Sequence, residues 1–454
     1  MLERLSLKHI DPFDHAEMEL APRLNLITGD NGLGKTLLLD CIFWALAREW
    51  PTTWGSHGVV ASTDDAVIEW TMRDRGKVLS LGSNYTRRRE RWLKPRVVNN
   101  AGFEALHAPE LGSIVIFQRA DGGISIMDPL HSIGSFDGPT TGPLFEDGLP
   151  FARGPAFNGW RVLQFAESEI WNGLMIPGHR GPVCRGLIND VATWVFHTVD
   201  TSFDYLDQVV QTLVGSEENY KLVRDAQRVY GDDSRDYALV QGPAGVFSSA
   251  HAPAGLRRIL ALAYMVAWAI KENDIHAELK ALPRAKRIVL LIDEAESHLH
   301  PKWQRTFVPS LFRAFGPQFD IQAVVSTHSP LVLASLESFF DAEQDAWYSL
   351  DIVNDRAVLD QQTFIRYGEA GYWLTEAFGL HRSRSVEAER ALLEADEFLI
   401  GATHDPTVAM EIGEKLRGVL GDTDPFWEQW WYVGREQGWL RPDGQYADRE
   451  RMAK

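Results

Sequence analysis

The chain has 454 residues and only two cysteines, Cys41 and Cys184, with no paired spacing. That excludes a disulfide framework and a cysteine-ligated zinc site, and it fits a reducing compartment. Long hydrophobic runs are also missing. The richest, Ile259 to Ile270, falls well short of the roughly eighteen apolar residues a membrane span needs. The opening stretch MLERLSLKHIDPF carries no apolar core of a secretory signal. A cytoplasmic protein with no membrane partner is therefore expected. Excess positive charge is absent too: the formal net charge is -18. This argues against coating nucleic acid through a general positive field, although a local basic groove stays open. No heptad run is visible, which excludes a long coiled coil.

What is present is ordinary soluble composition, 45% hydrophobic and 24% charged, in a length that suggests two or three domains. The most specific stretch comes early. Leu24 to Thr28 (LNLIT) reads as a buried strand, runs into GDNGLGKT (Gly29 to Thr36), and gives way to the helical spacing of LLLDCIFWALA. Strand, glycine loop and helix are the context of a phosphate-binding loop. Gly29, Gly32 and Gly34 let the backbone turn and aim N–H groups inward, with Asp30, Asn31, Leu33 and Leu37 completing the cradle. Lys35 supplies charge for terminal phosphates, and Thr36 offers a hydroxyl to Mg²⁺ at a helix start.

A second stretch, LLIDEAESHLHP (Leu290 to Pro301), places three carboxylates and two histidines at the end of an apolar run. A zinc site is one reading, but a Mg²⁺ site with phosphates needs carboxylates and not histidines. Arg287 to Ile292 therefore reads as a Walker B strand. Asp293 holds Mg²⁺ through water, and Glu294 polarises the attacking water. His298 and His300 are expected to cap and pack the junction to a helix that starts at Pro301. A third strand, Ile321 to Ser326, ends in THSPLVLASL and puts His328 where open α/β sheets place ligands.

The loop with NLIT before it resembles the nucleotide-binding heads of the SMC/RecF branch of ABC-type ATPases, which begin with a two-strand hairpin. EAESHLHP resembles the ABC-type ATPases that include the OLD nucleases and the ATPase of Septu-type antiphage systems. The resemblance implies ATP and Mg²⁺ as ligands, a γ-phosphate contact for His328, and a head-to-tail homodimer or higher homo-oligomer. It further implies a signature loop reaching across that dimer, yet no LSGGQ occurs in the chain. The nearest equivalent is SSAHAPAGLRRILALAYMVAWAI, Ser248 to Ile270. Aligned on Ala254-Gly255, it puts Pro253 where the family's serine stands, leaving Ser248 or Ser249 as the remaining hydroxyls. Gly255 and Arg258 are the expected nucleotide contacts of this segment. Arg257 and Arg258 sit against the helix dipole, so one of them either serves an anion in trans or pairs with surface acids. Both Gln118 and Gln164 follow apolar runs and could supply the family's Mg²⁺-sensing glutamine.

The fold class expected is α/β: an ABC-ATPase head with a parallel-sheet core, an antiparallel β lobe, a helical insertion and a helical C-terminal region. Residues 1–184 form the N-terminal ATPase half, 185–245 a helical insertion, 246–350 the C-terminal half and 351–454 a mainly helical region. Residues 131–160 read as a loop or lid. RRRERWLKPR, Arg87 to Arg96, holds six basic residues and Trp92. Through Arg87, Arg88 and Arg91 it is either a nucleic-acid contact or a solvated edge. Phe426, Trp427, Trp430 and Trp431 share one helical face, packed on the ATPase body or left for a partner. Neither the carboxylate pattern of a Toprim nuclease nor an H-N-H pattern is found. The function expected is an ATPase sensor or switch, resembling the Septu or PARIS type, that controls a separately encoded nuclease or toxin. A RecF-like repair ATPase that binds DNA directly and a transporter ATPase subunit are the rivals.

Overall fold

The computed structural model describes residues 1–51, 58–59, 61, 63–74, 77–88, 90–93, 96–97, 112–130, 162–176, 181–197, 201–215, 218–378, 384–401, 404–441 and 445–446. The stretch read as a lid, 131–160, lies outside them. The first half carries β1 (Leu2–Ile10), β2 (Phe13–Glu19), β3 (Leu24–Gly29), α1 (Lys35–Ala47), β4 (Val67–Asp74), β5 (Lys77–Thr86), β6 (Arg91–Trp92), β7 (Arg96–Val97), β8 (Ser113–Gln118), β9 (Ile124–Met127) and β10 (Leu163–Phe165). Then come α2 (Glu167–Asn172), α3 (Leu187–Phe196), α4 (Ser202–Val214), β11 (Lys221–Arg228), β12 (Asp236–Gly242) and β13 (Gly245–Ser248). The second ATPase half has α5 (Ala254–Lys280), β14 (Arg287–Ile292), α6 (Pro301–Gln304), α7 (Phe307–Phe315), β15 (Asp320–Ser326), α8 (Pro330–Leu336), β16 (Asp345–Val353) and β17 (Arg356–Gln362). The chain closes with α9 (Ala370–Phe378), α10 (Val386–Ile400), α11 (Pro406–Val419) and α12 (Phe426–Glu436).

The chain forms two compact units, 1–370 and 371–454. In the first, eight strands run in the order β10-β9-β8-β14-β15-β3-β16-β17. The five central ones, β8 to β16, are parallel, and antiparallel partners close both edges. Their sequences are nearly continuous Val, Ile and Leu because a parallel strand is buried on both faces. A second, antiparallel sheet runs β2-β1-β4-β5-β6, with β7 paired to β5. In β2 the alternation of Phe13, Ala16 and Met18 with exposed Asp14, His15, Glu17 and Glu19 shows one wet face. Helix α1 joins Leu5, Leu7, Ile68 and Trp70 of this sheet to Phe117, Leu291 and Val324 of the parallel sheet in one core. It is apolar almost all round, as a helix between two layers must be. This is the α/β architecture expected from the sequence, with a parallel-sheet core and an antiparallel β lobe. Among the described residues no helix is long and apolar enough to cross a membrane.

The segment 185–245 differs from expectation. Helices α3 and α4 occupy its first half, and a three-stranded sheet, β11-β12-β13, takes over from Lys221. In β12, Tyr237 to Val240 are buried together, and β11 is a largely exposed edge whose charged residues obscure any period. In the second unit, Leu392 and Ala395 of α10 pack with Ile412 and Leu416 of α11 and with Phe426, Trp427 and Trp430 of α12. The aromatic stripe is thus the core of this unit itself, the Trp430 and Trp439 rings lying 4.8 Å apart. Trp431, placed on the same face by helical spacing, is 44% exposed.

Candidate functional site

The parallel strands β3, β14 and β15 end side by side, and the loops beyond them meet in a cleft of about 210 Å³. Asn31, Gly32, Gly34, Lys35, Thr36, Asp293, Glu294 and His328 line it. Gly34 takes φ of +101°, and a Cβ there would stand 2.9 Å from the Phe13 ring, so the turn into α1 requires glycine twice over. Gly29, at φ +135°, lies behind the loop, where a Cβ would meet the Leu350 carbonyl at 2.5 Å. Leu33 and Leu37 turn their side chains into the core and anchor the loop. Asp30 is exposed, and its carbonyl accepts from Lys35.

Lys35 is 5% exposed, and its Nζ donates to the carbonyls of Gly29 at 2.8 Å and Asp30 at 2.7 Å. Burial lowers its pKa, opposed by the carboxylates of Asp293, Glu294 and Glu296. The Thr36 hydroxyl donates to Asp293 Oδ2 at 2.7 Å, and Ser326 Oγ donates to Asp293 Oδ1 at 2.6 Å. The Glu294 N–H donates back to Ser326 Oγ at 2.9 Å, which holds Glu294 in the left-handed region at φ +48°. Ser326, the last residue of β15, is a site residue that sequence reading passed over. Its signal was the register, since parallel pairing of Ile292 with Val325 brings the next residues together.

His328 follows, its pKa lowered by burial and by the charge of Lys35. Its backbone N–H and the Thr327 hydroxyl each donate to Glu296, both at 2.6 Å. His300 caps α6, with Pro301 at the first turn, and its Nδ1 accepts from the Lys302 N–H at 3.3 Å. The two glutamines left open separate clearly. Gln164 donates to the Trp50 carbonyl from the edge strand β10. Gln118 ends β8 beside Ile292, is 1% exposed, and has neither amide atom hydrogen-bonded. The Asp293 N–H donates to its backbone carbonyl at 2.9 Å.

The segment leading into α5 turns several of its polar side chains inward. Ser248 and Ser249 are both buried, and Ser248 caps the Ala250 N–H, so neither hydroxyl is offered outward. Gly255 and Arg258 lie outside the cleft lining. A Cβ at Gly255 would meet the His298 carbonyl at 2.5 Å, so glycine there serves close packing. Arg258 Nη2 donates to the carbonyls of Asp293 at 2.8 Å and Glu294 at 3.1 Å, and Nη1 to that of Ala120 at 3.4 Å. Burial lowers its pKa. An arginine bound to its own chain's strand ends is not extended towards an anion in trans. Arg257 takes the other course, pairing with Glu167 at 3.2 Å over the Trp171 ring. Arg87, Arg88 and Arg91 are exposed at the β5–β6 turn. Trp92 is buried against Trp50 and Tyr85, so this patch offers no stacking aromatic from that position.

Two family models match the chain. One described as "AAA domain, putative AbiEii toxin, Type IV TA system" covers residues 205–334, and one described as "AAA domain" covers residues 4–79. A probable ATPase of retron Vc95 from Vibrio cholerae is 52% identical over 50 residues, 11% of this chain and 9% of that protein. A probable ATPase of retron Ec83 from Escherichia coli is 44% identical over 50 residues, again 11% and 9%. The DNA replication and repair protein RecF of Idiomarina loihiensis is 45% identical over 42 residues, 9% of this chain and 12% of RecF. The chain thus matches about a tenth of the length of these curated relatives. Among solved structures, the SMC head domain from Thermotoga maritima aligns with a TM-score of 0.40 at 13% identity, covering 80% of this chain and 99% of that one. The glycine loop, Gly29 to Thr36, falls within the match to the one AAA-domain model, and Asp293 and Glu294 at the strand end fall within the match to the other.

Proposed function

We propose that this chain binds ATP with Mg²⁺ in the cleft and hydrolyses it to ADP and phosphate. The observation that carries the reading is the meeting of the Thr36 hydroxyl and the Asp293 carboxylate, 2.7 Å apart, beside Lys35 and the glycine loop. Thr36 and Asp293 are hard oxygen donors, the set Mg²⁺ prefers, and Gln118, whose side-chain amide has no hydrogen bond, pairs with Ile292 on the neighbouring strand, one residue before Asp293. Of the two glutamines, Gln118 is therefore the one assigned to the metal's outer shell. Bound Mg²⁺ would supply positive charge to the phosphate oxygens. Lys35 exchanges its two carbonyl partners for phosphate oxygens and recovers full charge pairing. Glu294 orients the attacking water and takes its proton. His328, kept neutral by burial, donates one hydrogen bond to the γ-phosphate.

The working form is a head-to-tail homodimer in which the segment leading into α5, through Gly255, covers the partner's nucleotide. The dimer acts in the cytoplasm as a sensor or switch of an antiphage defence system and controls a separately encoded nuclease or toxin. Likeness to two proteins named as probable retron ATPases supports this reading. Likeness to a RecF and the exposed Arg87, Arg88 and Arg91 favour a second reading, a repair ATPase that binds DNA directly.

Glu294→Gln tests the first part. Its hydrolysis is expected to fall at least about a hundredfold, the usual worth of a general base. It should elute as a dimer only with ATP and Mg²⁺. Equal hydrolysis by both proteins removes Glu294 as the base. A pull-down of the same variant from its native host decides the second part. A nuclease or toxin at fixed stoichiometry supports the defence reading, and salt-sensitive DNA without stoichiometric protein supports the repair ATPase.

A further inference from the structure

We infer that Glu296 is a positioning residue: its carboxylate fixes the loop that carries His328 into the nucleotide cleft, so the imidazole is set from the Walker B turn and not from its own strand. The inference rests on the reading of the cleft as a hydrolytic site. Strand β15 ends at Ser326, and beyond it the sheet supplies a partner for one more backbone N–H. The Thr327 N–H still reaches the Ile27 carbonyl at 3.0 Å. The next donor, His328 N–H, is taken by Glu296 Oε1, and Oε2 takes the Thr327 hydroxyl, both at 2.6 Å. Short bonds to an ionised acceptor are the strong ones, and two on one carboxylate fix orientation as well as distance.

The far side of His328 is pinned as well. Ser329 caps α8 by accepting from the Leu331 and Val332 N–H groups, and its hydroxyl donates to Gln304 at 2.7 Å. The Ser329 N–H donates to Thr327 Oγ1 at 3.0 Å, which closes the loop on the threonine that Glu296 holds. Glu296 is itself set by a tight turn. The Ser297 N–H bonds the Glu294 carbonyl and the Leu299 N–H bonds the Glu296 carbonyl, both at 2.9 Å. Left-handed residues, Glu294 at φ +48° and His298 at φ +62°, bracket that turn. Non-glycine residues persist in this region only where surrounding bonds over-determine them. One rigid turn therefore carries the attacking-water carboxylate of Glu294 and, through Glu296, the placement of His328. A γ-phosphate contact and a general base are held in fixed relation by one piece of backbone.

The test uses the full chain with Glu296→Ala, Glu296→Gln, Thr327→Val and His328→Ala, alone and combined. Glutamine can accept from the His328 N–H and donate to the threonine oxygen, so it should keep the loop. Glu296→Ala is expected to lower the turnover of ATP about ten- to hundredfold, the cost of a small misplacement, with ATP affinity unchanged within about twofold. Glu296→Gln should stay within about threefold of wild type, and Glu296→Ala should cost nothing further in His328→Ala. Rates that instead multiply in the double variant overturn the inference. A second readout does not need turnover. The ring resonance of His328 in ¹³C-histidine-labelled protein, assigned by its loss in His328→Ala, should be single in wild type and Glu296→Gln. It should broaden or split in Glu296→Ala, and to a lesser degree in Thr327→Val, which removes one bond and leaves the acid. An unchanged single resonance in both refutes the positioning role. If no form of the protein hydrolyses ATP, the proposed function fails, and the resonance still decides this point.

Discussion

Helices α1 and α5 both start beside the ends of the parallel strands, both run through the core, and both carry a cation within their first turns. Lys35 at the start of α1 bonds two carbonyls of an exposed loop, next to an open cleft. Arg258 near the start of α5 bonds three carbonyls, two of them just beyond the end of β14, with 7% of its surface exposed. On the proposed function the ammonium's partners are exchangeable, because Lys35 lines the cleft and can turn from the loop carbonyls to a bound phosphate. The guanidinium's partners are not, because they belong to the strand end and its following turn. A basic residue at a helix start thus does ligand chemistry only where its present partners can be given up, and otherwise it is a bolt between elements.

Substitution at Lys35 should separate the two cations most widely. Lys35→Ala is expected to weaken ATP binding by about two orders of magnitude, roughly the worth of one or two hydrogen bonds from a buried charge. The melting temperature without nucleotide should hardly move. Isothermal titration with ATP and Mg²⁺ measures the first, and affinity within threefold of wild type would undo the assignment of the loop.

Arg258→Ala should show the reverse pattern. It leaves the Asp293 carbonyl without its side-chain partner and opens a gap under the strand end. The expected loss of stability is about 2–4 kcal/mol, the range for breaking a buried charged network. The urea midpoint should fall without a change in slope. A stable Arg258→Ala protein that has lost only ATP-dependent dimerisation would return Arg258 to a role across the dimer.

The same contrast explains what the sequence could disclose. The glycine loop between β3 and α1 was legible because its form is set by backbone, and glycine spacing reports backbone directly. The place of Asp293 and Glu294 in the cleft was legible because open parallel sheets form their clefts beyond the strand ends. In the segment from Ser248 to Arg258, meaning depends on which way each side chain turns. Pro253 and the two arginines left open a choice that turns on burial and bonding, which local sequence does not carry. Ser326 and Gln118 owe their places to parallel pairing between strands far apart in sequence, which no local pattern carries. The sheet β11-β12-β13 was hidden for a related reason, since an edge strand as charged as KLVRDAQR shows no alternation to read.

The smallest expected effect falls on the neighbouring arginine and sharpens the comparison most. Arg257 is about one-third exposed, its partner Glu167 about half, and its guanidinium lies 4.5 Å from the Trp171 ring centre. An exposed pair with one cation–π contact contributes only about 0.5–1 kcal/mol. Arg257→Ala should therefore unfold at nearly the wild-type urea midpoint, hydrolyse ATP at the wild-type rate, and lose its small effect in high salt. Unlike Arg258, its present partners could be given up, so by the criterion drawn from Lys35 it is the arginine able to change allegiance. Should Arg257→Ala keep its stability but lose ATP-dependent dimerisation and turnover together, the anion-binding role in trans would belong to Arg257. The bolt and the finger would then be adjacent residues of the same helix turn.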